Sequence, residues 1–260
     1  MAVPCSDPPS APSLSQATHA ADYFDLVSEV IARLHGTEDL VRAVDLLQEA
    51  TLRMGAEVSL FMNYMDSDSR TLHRVLLACD PLWAIEYEQQ GWFGDDPWLK
   101  YARHHTEPIR GSEIVLSSPA DPAFFELGER FGFRSSVIVP APPSPRLVRV
   151  GVLCLGSSRP GYFEADGFVP LKVVARSVAM ELNEWWSTRM GRELVTKSRL
   201  TPEDLVLLSH ELNGGSTKTI ARQLGITATS IDSRFQRINA KLGVENRRAA
   251  ARLVAEYGLI

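Results

Sequence analysis

Cysteine is scarce in this sequence: three residues in 260, Cys5, Cys79 and Cys154, odd in number and far apart. That excludes a disulfide framework and a CxxC metal knuckle, and it fits a reducing cytoplasm. Long apolar runs are missing too, none approaching the roughly 20 residues that span a bilayer. The start, MAVPCSDPPSAPSLSQ, has neither a basic n-region nor an apolar h-region, so secretion is not expected. Its Pro, Ser and Ala content reads as a disordered lead-in over residues 1–20. Catalytic signatures are absent as well: there is no GxSxG, P-loop, dinucleotide fingerprint or HExxH. His104 and His105 are adjacent, without ligand spacing around them, and read as surface histidines rather than a metal site. Asp95 and Asp96 are neighbours whose side chains point apart in a loop or strand, which disfavours a catalytic carboxylate pair. The expectation is a protein that is not an enzyme and holds no metal or cofactor.

What is present is the composition of an ordinary globular protein, 45% hydrophobic and 23% charged, long enough for two domains. The net charge of −5 is unevenly spread. From Lys197 onward ten Lys and Arg face six Asp and Glu, a net +4 that leaves −9 on the remainder. A small basic module behind an acidic body suits a nucleic-acid-binding piece attached to something else.

The last 60 residues read as four short helices. Thr201 is an N-cap followed by Pro202 at the first helical position, with Leu205, Leu208 and Leu212 at helical spacing. Asn213-Gly214-Gly215 stops that helix. Ser216 caps a second with Ile220, Ala221 and Leu224 inward, and Gly225 supplies a tight turn. Thr227 caps a third helix, whose apolar stripe is Ile231, Phe235, Ile238 and Leu242. Outward this leaves Thr229, Ser230, Ser233, Arg234, Arg237 and Lys241: short hydroxyls first, long cations after. Such a face can meet base edges and phosphates in a major groove. A fourth helix follows over Glu245–Tyr257.

The body alternates helices and strands. Helices are expected at Ala21–Leu34, Thr37–Met54, Pro81–Gln90, Pro97–His104, Pro122–Phe131 and Glu164 to about Met190. Strands are expected at Glu57–Met65, Thr71–Ala78, Ser136–Ala141 and Arg146–Gly156, the last two joined through Pro142-Pro143-Ser144-Pro145 as a hairpin. The fold class is α+β: an α-β-α sandwich with an antiparallel sheet, over residues 21–190, then a linker at 191–199 and an all-α four-helix helix-turn-helix domain at 200–260. Within the body, PLWAIEYEQQGWFGDDPWLKYARHHTEPI stands out. Trp83 and Tyr87 lie four apart and share one helical face, and Asp96 precedes Pro97. Local physics alone reads these as core aromatics and a helix cap; a polar constellation facing a ligand is the other reading.

Two resemblances bear on the choice. LTPED, KTIARQLGIT and KLGV resemble the LuxR-type helix-turn-helix, with Thr219 where a Glu is common and Asp232 where a Lys is common. The pattern W-x3-Y-x8-D-P resembles the signature of autoinducer-binding domains, the acyl-homoserine-lactone sensors found ahead of that module. The resemblance implies a cytoplasmic, dimeric transcription regulator acting on double-stranded DNA at a two-fold symmetric operator. It implies a pocket between the sheet and one helical layer for an N-acyl-homoserine lactone. There Trp83 donates to the lactone carbonyl, Tyr87 bonds the amide carbonyl and Asp96 accepts from the amide N–H. Cys154 falls where the family often has Ser or Thr, Gly111 where it often has Trp, and Ser136 where Gly is typical. The alternative is a regulator that is ligand-independent or answers another molecule, with a body that mainly dimerises; an enzyme fused to the DNA-binding module is a third.

Overall fold

The computed structural model describes residues 12–67, 70–142 and 149–260. The chain divides into two compact units between Asn183 and Glu184. The expected hairpin connection at residues 143–145 lies outside the described residues.

The first unit runs α1 (Leu14–Thr18), α2 (Tyr23–His35), α3 (Leu40–Arg53), β1 (Val58–Ser67), β2 (Arg70–Ala78), α4 (Leu82–Gln89), α5 (Pro97–His104), β3 (Ile109–Arg110), α6 (Asp121–Arg130), β4 (Ser135–Ala141), β5 (Arg149–Ser157) and the part of α7 (Phe168–Ser198) up to Asn183. The strands form one antiparallel sheet in the order β2-β1-β5-β4-β3. On β1 alternate residues serve opposite faces, as the pleat demands. Leu60, Met62 and Tyr64 join a core with α4, α5 and α6. On the other face Ser59 bonds Thr51 of α3, and Asn63 donates to Asn183 of α7 at 3.0 Å. The sheet is therefore the middle layer of the α-β-α sandwich that the alternation of elements predicts. Opposite residues on β4 and β5 are Ser136 with Gly156 and Ile138 with Cys154, while Ile109 of β3 faces Ile138.

Two segments differ from expectation. Residues 14–18 were expected within a disordered lead-in, yet they form α1. Ser13 accepts from the Gln16 backbone and the Gln16 side chain accepts from Ser13, a capping box, and Leu14 is fully buried. Residues 191–198, expected as linker, are the last turns of α7. They carry no proline, and Leu194 and Val195 pack on the core of the second unit, so the helix has no reason to stop.

The second unit continues with α8 (Pro202–Leu212), α9 (Thr217–Leu224), α10 (Ala228–Leu242) and α11 (Arg247–Glu256). Thr201, Ser216 and Thr227 cap the first three as expected, each accepting a backbone N–H with its side chain. Gly225 and Gly243 end α9 and α10 at φ +67° and +65°, a region costly for any residue with a Cβ. Ile220, Ala221, Ile231, Phe235, Ile238 and Leu242 build the core with Ala250 and Val254 of α11. On α8 the expected Leu208 is fully buried and Leu205 packs against the core, joined by Leu207, whereas the expected Leu212 is exposed. Glu211, beside it, is buried and pairs with Arg247 at 3.0 Å.

Candidate functional site

Asp96 organises the aromatic stretch of the first unit. As the N-cap of α5, its Oδ1 accepts from the backbone N–H of Trp98 at 2.7 Å and of Leu99 at 3.0 Å. Its Oδ2 accepts the Tyr87 hydroxyl at 2.7 Å. The cap reading and the polar-constellation reading thus both describe it. Tyr87 and Trp83 sit side by side on α4, ring centroids 4.7 Å apart, and both are about 1% exposed. Cys154 of β5 lies in the same buried cluster, where Asp96 acts on its thiol and the thiol acts on the Tyr87 hydroxyl.

Burial dominates the electrostatics here. It lifts the Asp96 carboxyl from 3.8 to about 6, against the pull of the Tyr87 hydroxyl, the two backbone donors and Arg103. Burial likewise pushes the Tyr87 hydroxyl and the Cys154 thiol up, so both stay protonated. The indole N–H groups of Trp83, Trp92 and Trp98 are buried in this cluster and have no partner among the described residues. The cluster also holds Trp92, Trp98, Phe124 and Phe133, which sequence reasoning did not single out. The aromatic density of WFGDDPW was the available signal.

Ser136 is buried on β4. Its parity with Ile138, opposite Cys154, puts it on the cluster's face of the sheet. It also explains Gly111: a Cβ there would come 2.1 Å from the Ser136 Oγ. Two positions that look unusual one at a time are one contact in space.

On the second unit Thr229, Ser230, Ser233 and Arg237 are exposed along α10, and Arg234 is half-buried. The Ser230 hydroxyl is bonded to the Thr227 cap at 2.8 Å. Lys241 is exposed as well, and its ammonium pairs with Asp204 of α8 at 2.6 Å. Asp232 lies 3.4 Å from the Thr217 hydroxyl, which also receives Arg247 at 2.8 Å. Arg247 further pairs with Glu211 and lies over the Phe235 ring, so it ties α11 to α8, α9 and α10. Lys218, Arg222 and Arg248 are exposed cations that the sequence reading passed over, because they lie on α9 and α11. No group of three or more His, Cys, Asp or Glu able to hold a metal occurs among the described residues. No helix there is long and apolar enough to cross a membrane.

Comparison with known proteins places both units. Residues 39–175 match the family described as autoinducer binding domain, and residues 198–254 match the bacterial regulatory proteins of the luxR family. No curated protein sequence matches significantly. Among solved structures, Escherichia coli SdiA superposes with a TM-score of 0.72 at 14% identity, covering 92% of this chain and 99% of SdiA. SdiA in complex with octanoyl-rac-glycerol gives 0.69 at 13% identity, covering 92% of this chain and 97% of that one. The N-acylhomoserine lactone dependent factor CepR2 of Burkholderia cenocepacia gives 0.56 at 18% identity, over 65% of this chain and 98% of CepR2. At these identities the structural likeness speaks for the fold, and the matched families speak for the role. The chain belongs to the LuxR family of transcription regulators, in the form that carries an autoinducer-binding domain ahead of its helix-turn-helix.

Proposed function

We propose that this regulator binds an N-acyl-homoserine lactone in the Trp83–Tyr87–Asp96 cluster and, as a homodimer, a two-fold symmetric DNA site. The observation that carries the ligand reading is the unpartnered, buried indole N–H of Trp83 beside the Tyr87–Asp96 hydrogen bond. A buried donor without an acceptor costs about 1–3 kcal/mol, which a lactone carbonyl would recover. The amide is met by an exchange of partners. Tyr87 has one hydroxyl proton; giving it to the amide carbonyl releases Asp96 Oδ2, which then accepts the amide N–H. Every polar group stays matched, as a buried amide requires. Cys154 and Ser136 line the sheet side, the thiol as a weak donor and the hydroxyl against Gly111.

The Ser136–Gly111 contact also favours a second reading, an acyl ligand with a different head group. The neighbouring SdiA structure with octanoyl-rac-glycerol is consistent with that. For DNA, Arg234 and Arg237 form no ion pair among the described residues and can turn to bases or phosphates, with Thr229, Ser230 and Ser233 nearer the helix start. Support for a homodimer comes from α7, where the exposed Val169, Val173 and Met180 follow helical spacing along one side.

The test is purification from cells fed a mixed panel of acyl-homoserine lactones and acylglycerols, with mass spectrometry of what co-purifies. A lactone retained by the wild-type protein and lost from Asp96→Asn supports the first reading. An acylglycerol in its place supports the second, and a protein that retains neither refutes both.

A further inference from the structure

The outward side of α10 carries a single carboxylate. Asp232 is the only acidic residue among the 15 of this helix, and it is exposed. Gln236, four residues on, is exposed too, so the pair shares the face that presents Thr229 and Ser233. Among the described residues the Gln236 amide makes no hydrogen bond. Phosphate repels a carboxylate, so its place on a DNA-facing surface needs a reason other than backbone contact.

The surroundings of Asp232 give it a backing rather than a counter-ion. Among the described residues it forms no ion pair, and Arg247 is taken up by Glu211 at 3.0 Å and by the Thr217 hydroxyl at 2.8 Å. A guanidinium only donates, so Thr217 accepts from Arg247 and is left to give its own proton to Asp232 Oδ1, at 3.4 Å. That distance is long for a bond between oxygens, so the contact aims the carboxylate without spending it. Its Oδ2 has no partner among the described residues. The relay ends in Glu211, which is buried, so the carboxylate stands on the folded core of the unit.

We propose that Asp232 and Gln236 are base-reading residues, Asp232 fixing a cytosine and Gln236 an adenine one or two base pairs away. This rests on the reading of α10 as the helix that enters the major groove. There cytosine shows an amino donor, adenine an amino donor beside the N7 acceptor, and guanine and thymine show acceptors. A carboxylate, which only accepts, is therefore matched by cytosine, half opposed by adenine and repelled by the other two. The Gln236 amide has a donor and an acceptor, the pair that adenine N7 and N6 require. Side chains four apart on a helix lie about 5–6 Å from one another, against about 3.4 Å per base pair, which sets the separation of the two bases. Thr217 is a positioning residue for the first of them.

The test is selection of duplexes from a randomised library by the full chain, expressed with a panel of acyl-homoserine lactones and acylglycerols in the medium. The enriched site is expected to hold the cytosine and the adenine in both arms. Replacing that cytosine by any other base should lower affinity about tenfold. Asp232→Asn should move the preference at that base pair from cytosine to adenine, since an asparagine amide matches adenine. Gln236→Ala should leave the second base pair open and the first unchanged, and Thr217→Val should blunt the cytosine preference that Thr217→Ser restores. Asp232 and Gln236 are exposed, so their variants should melt like the wild-type protein. Sites that both variants leave unaltered, or affinities that change equally for all sequences, overturn this inference and leave DNA binding standing. A preference that moves with one variant alone overturns the half that names the other residue. No enriched sequence with the wild-type chain overturns the DNA reading as well.

Discussion

Asp96 does three things with one carboxylate: it caps α5, holds Tyr87 and carries a proton affinity lifted by burial to about 6. Between about pH 4 and 6 the unfolded chain has already released this proton while the folded protein keeps it. Its contribution to stability therefore falls as pH rises through that window and is flat above it, by an amount of the order of 3 kcal/mol. Asp96→Asn, which still caps, should flatten the window in denaturant titrations run from pH 4 to 7; an unchanged profile would put the carboxyl near its ordinary value. Because the carboxylate form accepts an amide N–H, lactone affinity of the wild-type protein should climb as pH passes 6. Gly111 gives a second residue-scale prediction. Gly111→Ala should destabilise by about 1 kcal/mol or less, the cost of turning the Ser136 hydroxyl aside, and Ser136→Gly should remove that cost in thermal melts. An additive double variant would refute the contact. In the sequence the shared face of Trp83 and Tyr87 and the cap at Asp96 were legible because helical spacing and a DP cap are local, while their ligand role rested on the family resemblance alone. The pairing of Gly111 with Ser136 was not, because it is made across β3 and β4.

Among the elements, α10 owes its legibility to its caps: Thr227 and Gly243 bracket it, and the stripe from Ile231 to Leu242 has one period throughout. What periodicity cannot show is which outward cation is already engaged. Lys241 is held by Asp204, whereas Arg237 is exposed with no ion pair among the described residues. In operator binding measured by fluorescence anisotropy across salt, Arg237→Ala should lower affinity and, if the guanidinium sits on phosphate, reduce the salt slope by about one. Lys241→Ala should leave that slope nearly unchanged; a full unit of loss there would mean the bridge opens on DNA. Shorter elements escaped prediction for physical reasons. The two residues of β3 contain no alternation to read, and α1 lay in a Pro- and Ser-rich stretch whose composition outweighed its capping box.

At the scale of the whole molecule, domain order and sandwich architecture were readable because each rests on many residues. The point of division was not, since α7 runs without a break from Phe168 to Ser198 and offers no Gly-Pro punctuation where the units part. Signal binding in one unit reaches DNA affinity in the other only if the ligand favours the DNA-competent state. Saturation at a hundredfold over Kd should stabilise the chain by about 2.7 kcal/mol, visible as a rise in Tm. The same ligand should change either the dimer fraction in sedimentation or the operator Kd. A Tm rise with neither of these would mean a sensor uncoupled from its output.

On the proposed reading, the Tyr87–Asp96 bond means that phenol and carboxylate already satisfy one another before a ligand arrives. An amide can replace that bond because it brings both a donor and an acceptor. An ester of the same shape brings an acceptor alone, so taking the tyrosine proton would strand a buried carboxylate, while leaving it in place forfeits the contact. Nitrogen or oxygen at one atom of the proposed signal would thereby be weighed by a phenol and a carboxylate before the tail is felt at all. Amide-to-ester exchange in an otherwise identical ligand should be the most severely punished of small edits.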